Sequence, residues 1–393
     1  MAPLSIGIVC FPSFGGSGVV AAELAAGLAG RGHRVHLIAT APPQRALPEC
    51  ERLRFHAVAV SDYPLFDHPP YELAMASVIV EVATEHRLDV LNVHYAVPHA
   101  VSAYLARQVL GEAAPRIVTT LHGTDVTRVG VHPRYRAITR FAVTQSDGVT
   151  VPSRFLRAAA YESFDLPPCP TIEIMPNFVD TDHFAPTTAR DRGVLDRLFD
   201  GGGREPGEGD APLLFHVSNF RAVKRAGDLI EVLDRVRREC PVRLVLVGDG
   251  PERASVAQRA RELGLSRQVC FLGQRADFAE YLRHADGFLL PSETESFGLA
   301  ALEALSAGVP VFGYRVGGLP EVVSDEVGRL VEPFDVDALA RAVLEVVSDP
   351  ARASALGRAA RARALGQFRR EPALERYEAY FRRVLEQPRG EGT

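Results

Sequence analysis

Short apolar runs alternate along this chain with longer stretches whose apolar residues recur at helical spacing. Helical patterns lie between several of the runs, for example at 19–29 and 71–85. Strands that alternate with helices in this way predict a parallel sheet wrapped by helices. In the first half, the pattern predicts strands at 6–10, 35–39, 55–60, 90–93, 117–121, 149–151 and 172–175.

The same alternation restarts in the second half of the chain, with helices such as 225–239 and 251–263. The intervening segment 187–212 holds six glycines and few apolar residues, which is typical of a linker or a surface loop. In the second half, the pattern predicts strands at 213–217, 244–247, 269–272, 288–290, 309–312 and 329–331.

Two α/β domains are therefore expected, at 1–186 and at 213–371, each with a doubly wound sheet. A last helix within 372–393 is expected to pack back on the N-terminal domain. Two such domains that face one another would place a ligand cleft between the carboxyl ends of both sheets.

Composition narrows the class of protein. With 393 residues, the chain is too long for one ordinary core, and its 47% hydrophobic and 24% charged residues are typical of a soluble globular protein. A net charge of −5 argues against generic binding to nucleic acid or anionic membranes. Five scattered cysteines favour reduced thiols. With no signal peptide and no apolar stretch that spans a bilayer, a cytoplasmic location is expected.

Arginine supplies 43 of the 44 basic residues, and Lys224 is the single lysine. Where only surface charge is needed, either residue serves, so a lone ammonium suggests a site that requires a compact point charge rather than a planar fork. The oxygens of a diphosphate form such a site. The alternative interpretation is that Lys224 is present by chance in an arginine-rich sequence. The residues around Lys224 decide between these two interpretations.

The loop after the first predicted strand carries glycines at positions 15, 16 and 18, before a helix. Glycines let backbone N–H groups approach a phosphate or carboxylate at the positive end of a helix. Gly16, Gly18 and Ala21 also match a dinucleotide fingerprint, which would indicate a nicotinamide oxidoreductase. That fingerprint needs an acidic residue after the second strand, where this sequence has none at 39–42, so the oxidoreductase is disfavoured.

Two further loops each carry a histidine directly after a predicted strand. His94 and Tyr95 follow one strand, and His122 opens the sequence His-Gly-Thr-Asp after the next. A lone histidine at a strand end is more often structural, but two on neighbouring strand ends favour a functional site. Metal ligation stays open as an alternative, although the spacing does not support it.

The strongest functional patterns lie in the second half. Arg221 and Lys224 are about one turn apart at a predicted helix start, where two cations are unfavourable unless an anion is bound. Segment 291–303 runs from a strand through Glu295 and a Ser-Phe-Gly turn into an apolar helix that carries Glu303. The backbone amides at that helix start would bind an anion. Helix capping alone does not explain why a glutamate stands at position 303, within the helix.

Glu295 and Glu303, with seven residues between them, resemble the glutamate pair of retaining glycosyltransferases built from two Rossmann-like domains, the glycosyltransferase fold of type B. The first domain is similar to the members that transfer N-acetylglucosamine from UDP-N-acetylglucosamine to the hydroxyl of L-malate in bacillithiol biosynthesis. The resemblance covers nearly the whole chain, and the segments that carry it are 15–20, 69–71, 93–100, 119–125, 176–180, 218–224, 248–252 and 295–310.

This resemblance implies four catalytic residues. Arg221 and Lys224 would bind the diphosphate of UDP, Glu295 would bind the sugar hydroxyls, and His122 would lie beside the sugar. Glu303 would bind the ribose hydroxyls, and the turn at 250–251 and the segment 274–275 would frame the uracil. The donor-binding positions that the resemblance implies are Gly16, Asn219, Gly250, Pro251, Arg275, Ser296, Phe297, Gly298, Leu299 and Glu303.

Malate needs partners for its carboxylates in the first domain, and the candidates are Ser17, Tyr95, Thr120 and Arg128. No metal and no organic cofactor is expected, because the two Asp-x-Asp strings, at 180–182 and 335–337, fall at a turn and at a helix start. Three alternatives stay open: a related transferase with an inositol phosphate, sugar or lipid acceptor, a nicotinamide oxidoreductase, and a non-catalytic two-domain binding protein. Homo-oligomerisation also stays open.

Overall fold

The structure, a computed structural model, describes residues 2–13, 16–43, 47–59, 70–166, 172–187, 198–199 and 211–388. The chain forms two compact units, one from Met1–Asn177 with Glu371–Thr393 and the other from Phe178–Arg370. Most of the predicted linker 187–212, including its glycine-rich part 201–209, lies outside the described residues. So do Gly15, Val60 and the last five residues, 389–393.

A seven-stranded parallel sheet forms the centre of the first unit, in the order β3-β2-β1-β4-β5-β6-β7. Its strands are β1 Ser5–Val9, β2 Arg34–Ala39, β3 Leu53–Ala57, β4 Val90–His94, β5 Arg116–Thr120, β6 Gly148–Val151 and β7 Ile172–Ile174. Its helices are α1 Gly16–Gly30, α2 Tyr71–His86, α3 Val101–Leu110, α4 Thr124–Thr127, α5 Arg136–Thr144 and α6 Arg154–Phe164.

A six-stranded parallel sheet forms the centre of the second unit, in the order β10-β9-β8-β11-β12-β13. Its strands are β8 Leu213–Val217, β9 Arg243–Val247, β10 Val269–Gly273, β11 Gly287–Leu290, β12 Val311–Tyr314 and β13 Gly328–Val331. Its helices are α7 Ala226–Arg237, α8 Arg253–Glu262, α9 Ala279–Leu282, α10 Leu299–Ser306, α11 Leu319–Val322, α12 Val336–Val347 and α13 Pro350–Gln367.

Apolar side chains cover both faces of the second sheet, which explains why its strands read as continuous apolar runs. Along β8, Leu213 and Phe215 enter one core, while Leu214 between them enters the core on the opposite face. The predicted doubly wound α/β fold class is therefore confirmed. Every predicted strand is present, with its ends displaced by up to three residues. Among the described residues, no helix is long and apolar enough to cross a membrane.

Where the sequence pattern predicts a boundary at 186, the structure divides the chain after Asn177. The backbone N–H of Val179 donates to the carbonyl of Phe368 at 3.0 Å. Phe184 is buried in a core of the second unit, and the guanidinium of Arg361 donates to its carbonyl at 3.1 Å. These contacts attach the segment after Asn177 to the second unit.

The last helix, α14 (Arg370–Glu386), packs on the first unit through a buried carboxylate. Glu378 accepts hydrogen bonds from Arg31 Nε at 2.5 Å and from His33 Nε2 at 3.1 Å. His33 uses its other nitrogen to accept the N–H of Leu4 at 2.9 Å, so its proton lies on Nε2. Burial alone would raise the pKa of Glu378, but the hydrogen bonds from Arg31 and His33 outweigh it and hold that pKa below its usual value.

We expect Glu378→Gln to lower the free energy of unfolding by about 1–3 kcal/mol at pH 7, because it weakens a charge-assisted network in a buried setting. A depressed carboxyl pKa stabilises the fold above the unfolded pKa and loses that effect as pH falls through the folded pKa. Urea unfolding should therefore show a constant difference in the free energy of unfolding between Glu378→Gln and the parent from pH 6 to 8. That difference should shrink below about pH 4.5.

Glu375→Gln on the same helix is the matched control, because Glu375 is 64% exposed and lies 3.8 Å from Arg31. It should change the free energy of unfolding by less than about 0.5 kcal/mol. Equal effects of the two substitutions would contradict a specific role of Glu378 in docking α14.

Candidate functional site

Most of the predicted donor-site residues of the second unit lie in loops at the carboxyl ends of parallel strands. The loop 218–225 follows β8, the turn 248–252 follows β9, the loop 291–298 follows β11, and the turn 315–318 follows β12. Carboxyl ends of parallel strands share one edge of a sheet, which is where open α/β folds bind ligands.

An ion pair joins two of these loops. Lys224 Nζ donates to Glu295 Oε1 at 2.6 Å, and the hydroxyl of Ser292 donates to the same oxygen at 2.7 Å. The side chain of Glu295 is 10% exposed and that of Lys224 is 23% exposed. The structure therefore brings together two predicted catalytic residues, and it orients the carboxylate from two sides.

The backbone of Glu295 is fixed by the turn after β12. Gly318 N–H donates to the carbonyl of Glu295 at 2.8 Å. Gly317 has φ +54°, and a Cβ at this position would lie 2.1 Å from that same carbonyl oxygen. Glu293 N–H donates to the carbonyl of Val223 at 2.8 Å, which holds the lysine loop against the glutamate loop.

Two glycines let the turn after β9 approach the loop after β8. A Cβ at Gly248 would lie 1.8 Å from the carbonyl oxygen of Ser218, and one at Gly250 would lie 1.9 Å from that of Asn219. Both glycines have positive φ, at +119° and +155°. The structure thus brings the predicted Asn219 and Gly250 into direct contact. Pro251, which follows Gly250, is exposed.

Helix α10 begins at the predicted Ser-Phe-Gly turn. Gly298 has φ +97° and precedes the first helical residue, Leu299, while the Phe297 ring is buried against Phe368. Because the ring is buried, only the backbone of Phe297 is available at the helix start, and its predicted role is to bind an anion through the backbone amide. Glu303 is 7% exposed, within the same helix. Ser296 and Leu299 are half-buried in the structure.

Two predicted cationic positions differ in their surroundings. Arg221 is exposed at the start of the short helical turn that ends with Lys224. Arg275 is held by Asp277, which accepts from Nε at 2.8 Å and from Nη2 at 2.7 Å. The guanidinium of Arg275 also lies 5.3 Å from the centre of the Tyr281 ring. The Nε and Nη2 donors of Arg275 are therefore bound to Asp277, and the planar face of its guanidinium can stack on a ligand.

His216 on β8 is a supporting residue that sequence reasoning missed. Its Nδ1 lies 2.8 Å from the carbonyl of Leu289, and its Nε2 lies 2.8 Å from the hydroxyl of Ser218. Ser218 Oγ in turn accepts the N–H of Phe220 at 3.2 Å, where the backbone has φ +42°. Burial lowers the pKa of His216 to about 4, so the ring is neutral. The sequence signal that could have revealed His216 is a histidine within the apolar strand 213–217.

In the first unit, the first turn of α1 lies close to the segment that follows β1. A Cβ at Gly18 would lie 2.5 Å from the carbonyl oxygen of Ser13, so only glycine fits. Gly16 is exposed at the start of α1. The hydroxyl of Tyr95 donates to that of Ser17 at 3.0 Å, which brings two predicted acceptor residues together. Tyr95 itself has φ +82°, a strained conformation for a bulky residue.

The two predicted histidines of the first unit are in contact. His94 Nδ1 lies 2.7 Å from His122 Nε2, and the rings stack with centroids 4.9 Å apart. Burial, with a contribution from His99, lowers the pKa of His122 to about 3, and burial also lowers the pKa of His94. Both rings are neutral at pH 7, so His122 acts as a hydrogen-bonding group rather than as a cation.

Asp125 fixes the loops that carry Tyr95 and His122, a role that the sequence motif did not reveal. Its carboxylate accepts the backbone N–H of His122 at 3.1 Å, of Gly123 at 2.9 Å and of Ala96 at 3.3 Å. Burial raises the pKa of Asp125 to about 6, against the opposite effect of these hydrogen bonds. Asp125 is therefore a positioning residue for both loops.

The remaining acceptor candidates fall in different environments. Thr120 is 3% exposed, and its hydroxyl is bonded to Asn92 Nδ2 at 2.9 Å and to the hydroxyl of Thr150 at 2.8 Å. That hydroxyl is part of the sheet interior, so the structure does not present it to a ligand. Arg128 is exposed directly after α4, and its side chain is accessible to an anion.

Neither Asp-x-Asp string forms a metal site among the described residues. Asp180 accepts the backbone N–H groups of Asp182 and His183 at 3.0 Å and pairs with Arg370. In the other string, Asp335 accepts the N–H of Ala338 as the cap of α12. Both strings therefore serve local structure.

Comparison with known proteins identifies two matching family models. Residues 14–183 match the model described as Glycosyltransferase Family 4, and residues 204–363 match the one described as Glycosyl transferases group 1. The chain is 41% identical over 383 residues to the N-acetyl-alpha-D-glucosaminyl L-malate synthase of Bacillus anthracis, with 97% of each chain covered.

A second relative is the GDP-mannose-dependent alpha-(1-6)-phosphatidylinositol monomannoside mannosyltransferase of Mycolicibacterium smegmatis. It is 34% identical over 316 residues, covering 76% of this chain and 78% of the relative. Among solved structures, a sucrose-phosphate synthase from Thermosynechococcus elongatus has a TM-score of 0.78 at 22% identity, with 97% and 99% of the chains covered. Anabaena HepE in complex with UDP and glucose has a TM-score of 0.78 at 20% identity, with 96% and 99% covered.

Proposed function

This chain belongs to the glycosyltransferases, in the family of the Bacillus anthracis synthase, and on that premise we propose that it transfers N-acetylglucosamine from UDP-N-acetylglucosamine to the hydroxyl of L-malate. The observation that carries the proposal is 41% identity across 97% of both chains. The predicted glycosyltransferase fold of type B is confirmed by its two parallel-sheet units and by its structural neighbours. The proposed reaction is the first step of bacillithiol biosynthesis.

The residues proposed to bind the diphosphate of the donor lie in loops of the second unit. Lys224, prepositioned by Glu295, supplies a compact charge to the diphosphate, and the exposed Arg221 supplies a second. The backbone amides at positions 297–298 add hydrogen-bond donors at the start of α10. Preorganised positive groups aimed at a leaving group can contribute several kcal/mol to lowering a barrier.

Glu295 has a second role in this proposal. One of its carboxylate oxygens accepts from both Lys224 and Ser292, and in this proposal the other oxygen accepts from the sugar hydroxyls. Glu303, deep in α10, would bind the ribose hydroxyls, and the turn at Gly250 would lie against the uracil. Two carboxylates on separate elements can thus address two parts of one donor.

For the acceptor, the proposal uses Ser17, Tyr95 and Arg128 of the first unit. Ser17 and Tyr95 are already joined by a hydrogen bond, and the guanidinium of Arg128 is accessible for a bidentate contact with a carboxylate. Thr120 instead helps to hold Asn92 within the sheet. Neutral His122 would donate or accept a hydrogen bond at the sugar.

The proposed mechanism retains the α configuration without a protein nucleophile. The malate hydroxyl forms its bond to the anomeric carbon on the face from which UDP departs, and an oxygen of the leaving phosphate accepts the hydroxyl proton. Catalysis then depends on holding the reactants close and on stabilising the negative charge that builds on the diphosphate. No metal ion and no cofactor takes part in this proposal.

A related transferase with another acceptor is the second candidate. The 34% identity to a phosphatidylinositol monomannoside mannosyltransferase favours it, because that relative covers 76% of this chain. The candidate keeps the same donor loops and binds another acceptor. A comparison of acceptors is therefore the most informative assay.

We expect the purified protein to release UDP from UDP-N-acetylglucosamine rapidly when L-malate is present, and at least tenfold more slowly without it. Excess EDTA should leave the initial rate unchanged, since positive side chains replace a metal at the diphosphate. A preference for an inositol or lipid acceptor, or for GDP-mannose, would overturn the malate assignment. Ligand binding without turnover would indicate a binding protein.

Lys224→Ala should lower kcat by two orders of magnitude or more while the far-ultraviolet circular dichroism stays unchanged, because it removes the compact charge at the leaving group. Arg238→Ala is the control, since it also removes one positive charge from the second unit and the Arg238 side chain is 69% exposed. It should retain near-parental kcat. Near-normal turnover in Lys224→Ala would refute the role of Lys224.

Gly317→Ala should lower kcat/KM at least tenfold, because its Cβ would displace the carbonyl of Glu295 and with it the carboxylate. Gly264→Ala is a matched control: Gly264 has φ +69°, but no atom lies within 4 Å of the added Cβ. Both variants should lose about 1 kcal/mol of stability from the positive φ. Equal kcat/KM in the two variants would show that the position of Glu295 does not limit the reaction.

A further inference from the structure

Three histidines that the proposed reaction does not use converge in the first unit. His36 lies on β2, His56 lies on β3, and His86 is the last residue of α2. One ring nitrogen of each lies within 4.8 Å of a ring nitrogen of the other two. The three side chains are 20 and 30 residues apart along the chain, so no sequence motif joins them.

The fold places these rings on one face of the sheet. Register pairs His56 with Ile38, two residues beyond His36, so the two histidines are diagonal neighbours on adjacent strands. His36 Nδ1 lies 3.0 Å from His56 Nε2. The His36 and His86 rings stack with centroids 4.2 Å apart and an angle of 20° between them.

The surroundings keep the rings of His36 and His56 in the uncharged form. Burial, together with the neighbouring imidazoles and Arg34 and Arg54, lowers the pKa of His36 to about 3. For His56, burial and His86 likewise lower the pKa, although Glu85 and Glu81 act in the opposite direction. Neutral imidazole is the form that donates a lone pair to a metal ion.

The spacing of the ring nitrogens suits a shared ion. Zinc binds histidine nitrogen at about 2.0–2.1 Å, so two nitrogens on one tetrahedral ion are about 3.3 Å apart. The nitrogens of His36 and His56 are close to that separation. All three ligand atoms lie within 4.8 Å of one another, so side-chain torsions need to close at most about 1.5 Å. Glu85 Oε1 lies 3.5 Å from His86 Nε2 and can supply a fourth ligand.

We propose that His36, His56 and His86 bind one divalent first-row transition-metal ion, for which Zn²⁺ is the best match. Three imidazoles and a carboxylate or water form a donor set that suits such ions and excludes Mg²⁺ and Ca²⁺, which prefer oxygen. The ion ties the edge strand β3 to β2 and to the end of α2. Its role is structural, and it takes no part in sugar transfer.

The test is metal binding by the full-length protein after treatment with chelator. Titration with Co²⁺, followed by visible absorption, and with Zn²⁺, followed by calorimetry, should give one equivalent per chain at micromolar concentrations. A hundredfold excess of Zn²⁺ over its Kd should raise Tm by roughly 5 °C. Absence of one-to-one binding below 100 µM in the parent protein would overturn the proposal.

His56→Gln with His86→Gln should weaken binding at least tenfold and abolish the Zn²⁺-dependent rise in Tm. If that double variant fails to fold, His86→Gln alone gives the same comparison, because His86 ends a helix and its side chain is only partly buried. His132→Gln, at an exposed histidine of the same unit, should bind as the parent does. Unchanged binding in the His86 variant would place the metal elsewhere and overturn the proposal.

Discussion

The ion pair between Lys224 and Glu295 is the interaction on which the proposed donor site depends. It joins two loops through residues that are 71 positions apart, and it holds the ammonium where the proposal places the diphosphate. A partly buried pair of this kind is costly to break at one end, because the remaining charge is left without compensation. Glu295 therefore keeps Lys224 extended, and the turn at Gly317 and Gly318 keeps Glu295 in place.

In the first unit, backbone hydrogen bonds rather than an ion pair hold the loops in position. The carboxylate of Asp125 accepts hydrogen bonds from three backbone N–H groups in two loops, so it positions both the loop of Tyr95 and the loop of His122. Burial keeps His94 and His122 neutral near pH 7, whereas Asp125, whose pKa burial raises to about 6, gains a proton as the pH falls through that value. In both units, a buried carboxylate organises the loops at the strand ends, and the exposed cations Arg128 and Arg221 lie at the surface.

The sequence pattern predicted the sheets well because most strands, such as β1, β4 and β11, are buried along their whole length and read as largely apolar runs. It could not predict that Lys224 meets Glu295, since such pairing depends on which strands become neighbours. Thr120 was an acceptor candidate from the family resemblance, but its hydroxyl is bonded to Asn92 and Thr150 within the sheet. His216 and the His36, His56 and His86 cluster were missed because isolated histidines, whether in a strand or at a helix end, carry no motif that predicts their contacts.

In the proposed reaction, positive charge prepositioned in the second unit receives the diphosphate of the donor. A crystal structure of the protein soaked with UDP would show where that diphosphate binds. Pyrophosphate oxygens should lie within about 3.2 Å of Lys224 Nζ and of the backbone amides at 297–298, by ordinary hydrogen-bond geometry. A pyrophosphate bound away from both Lys224 and that helix start would contradict the proposal.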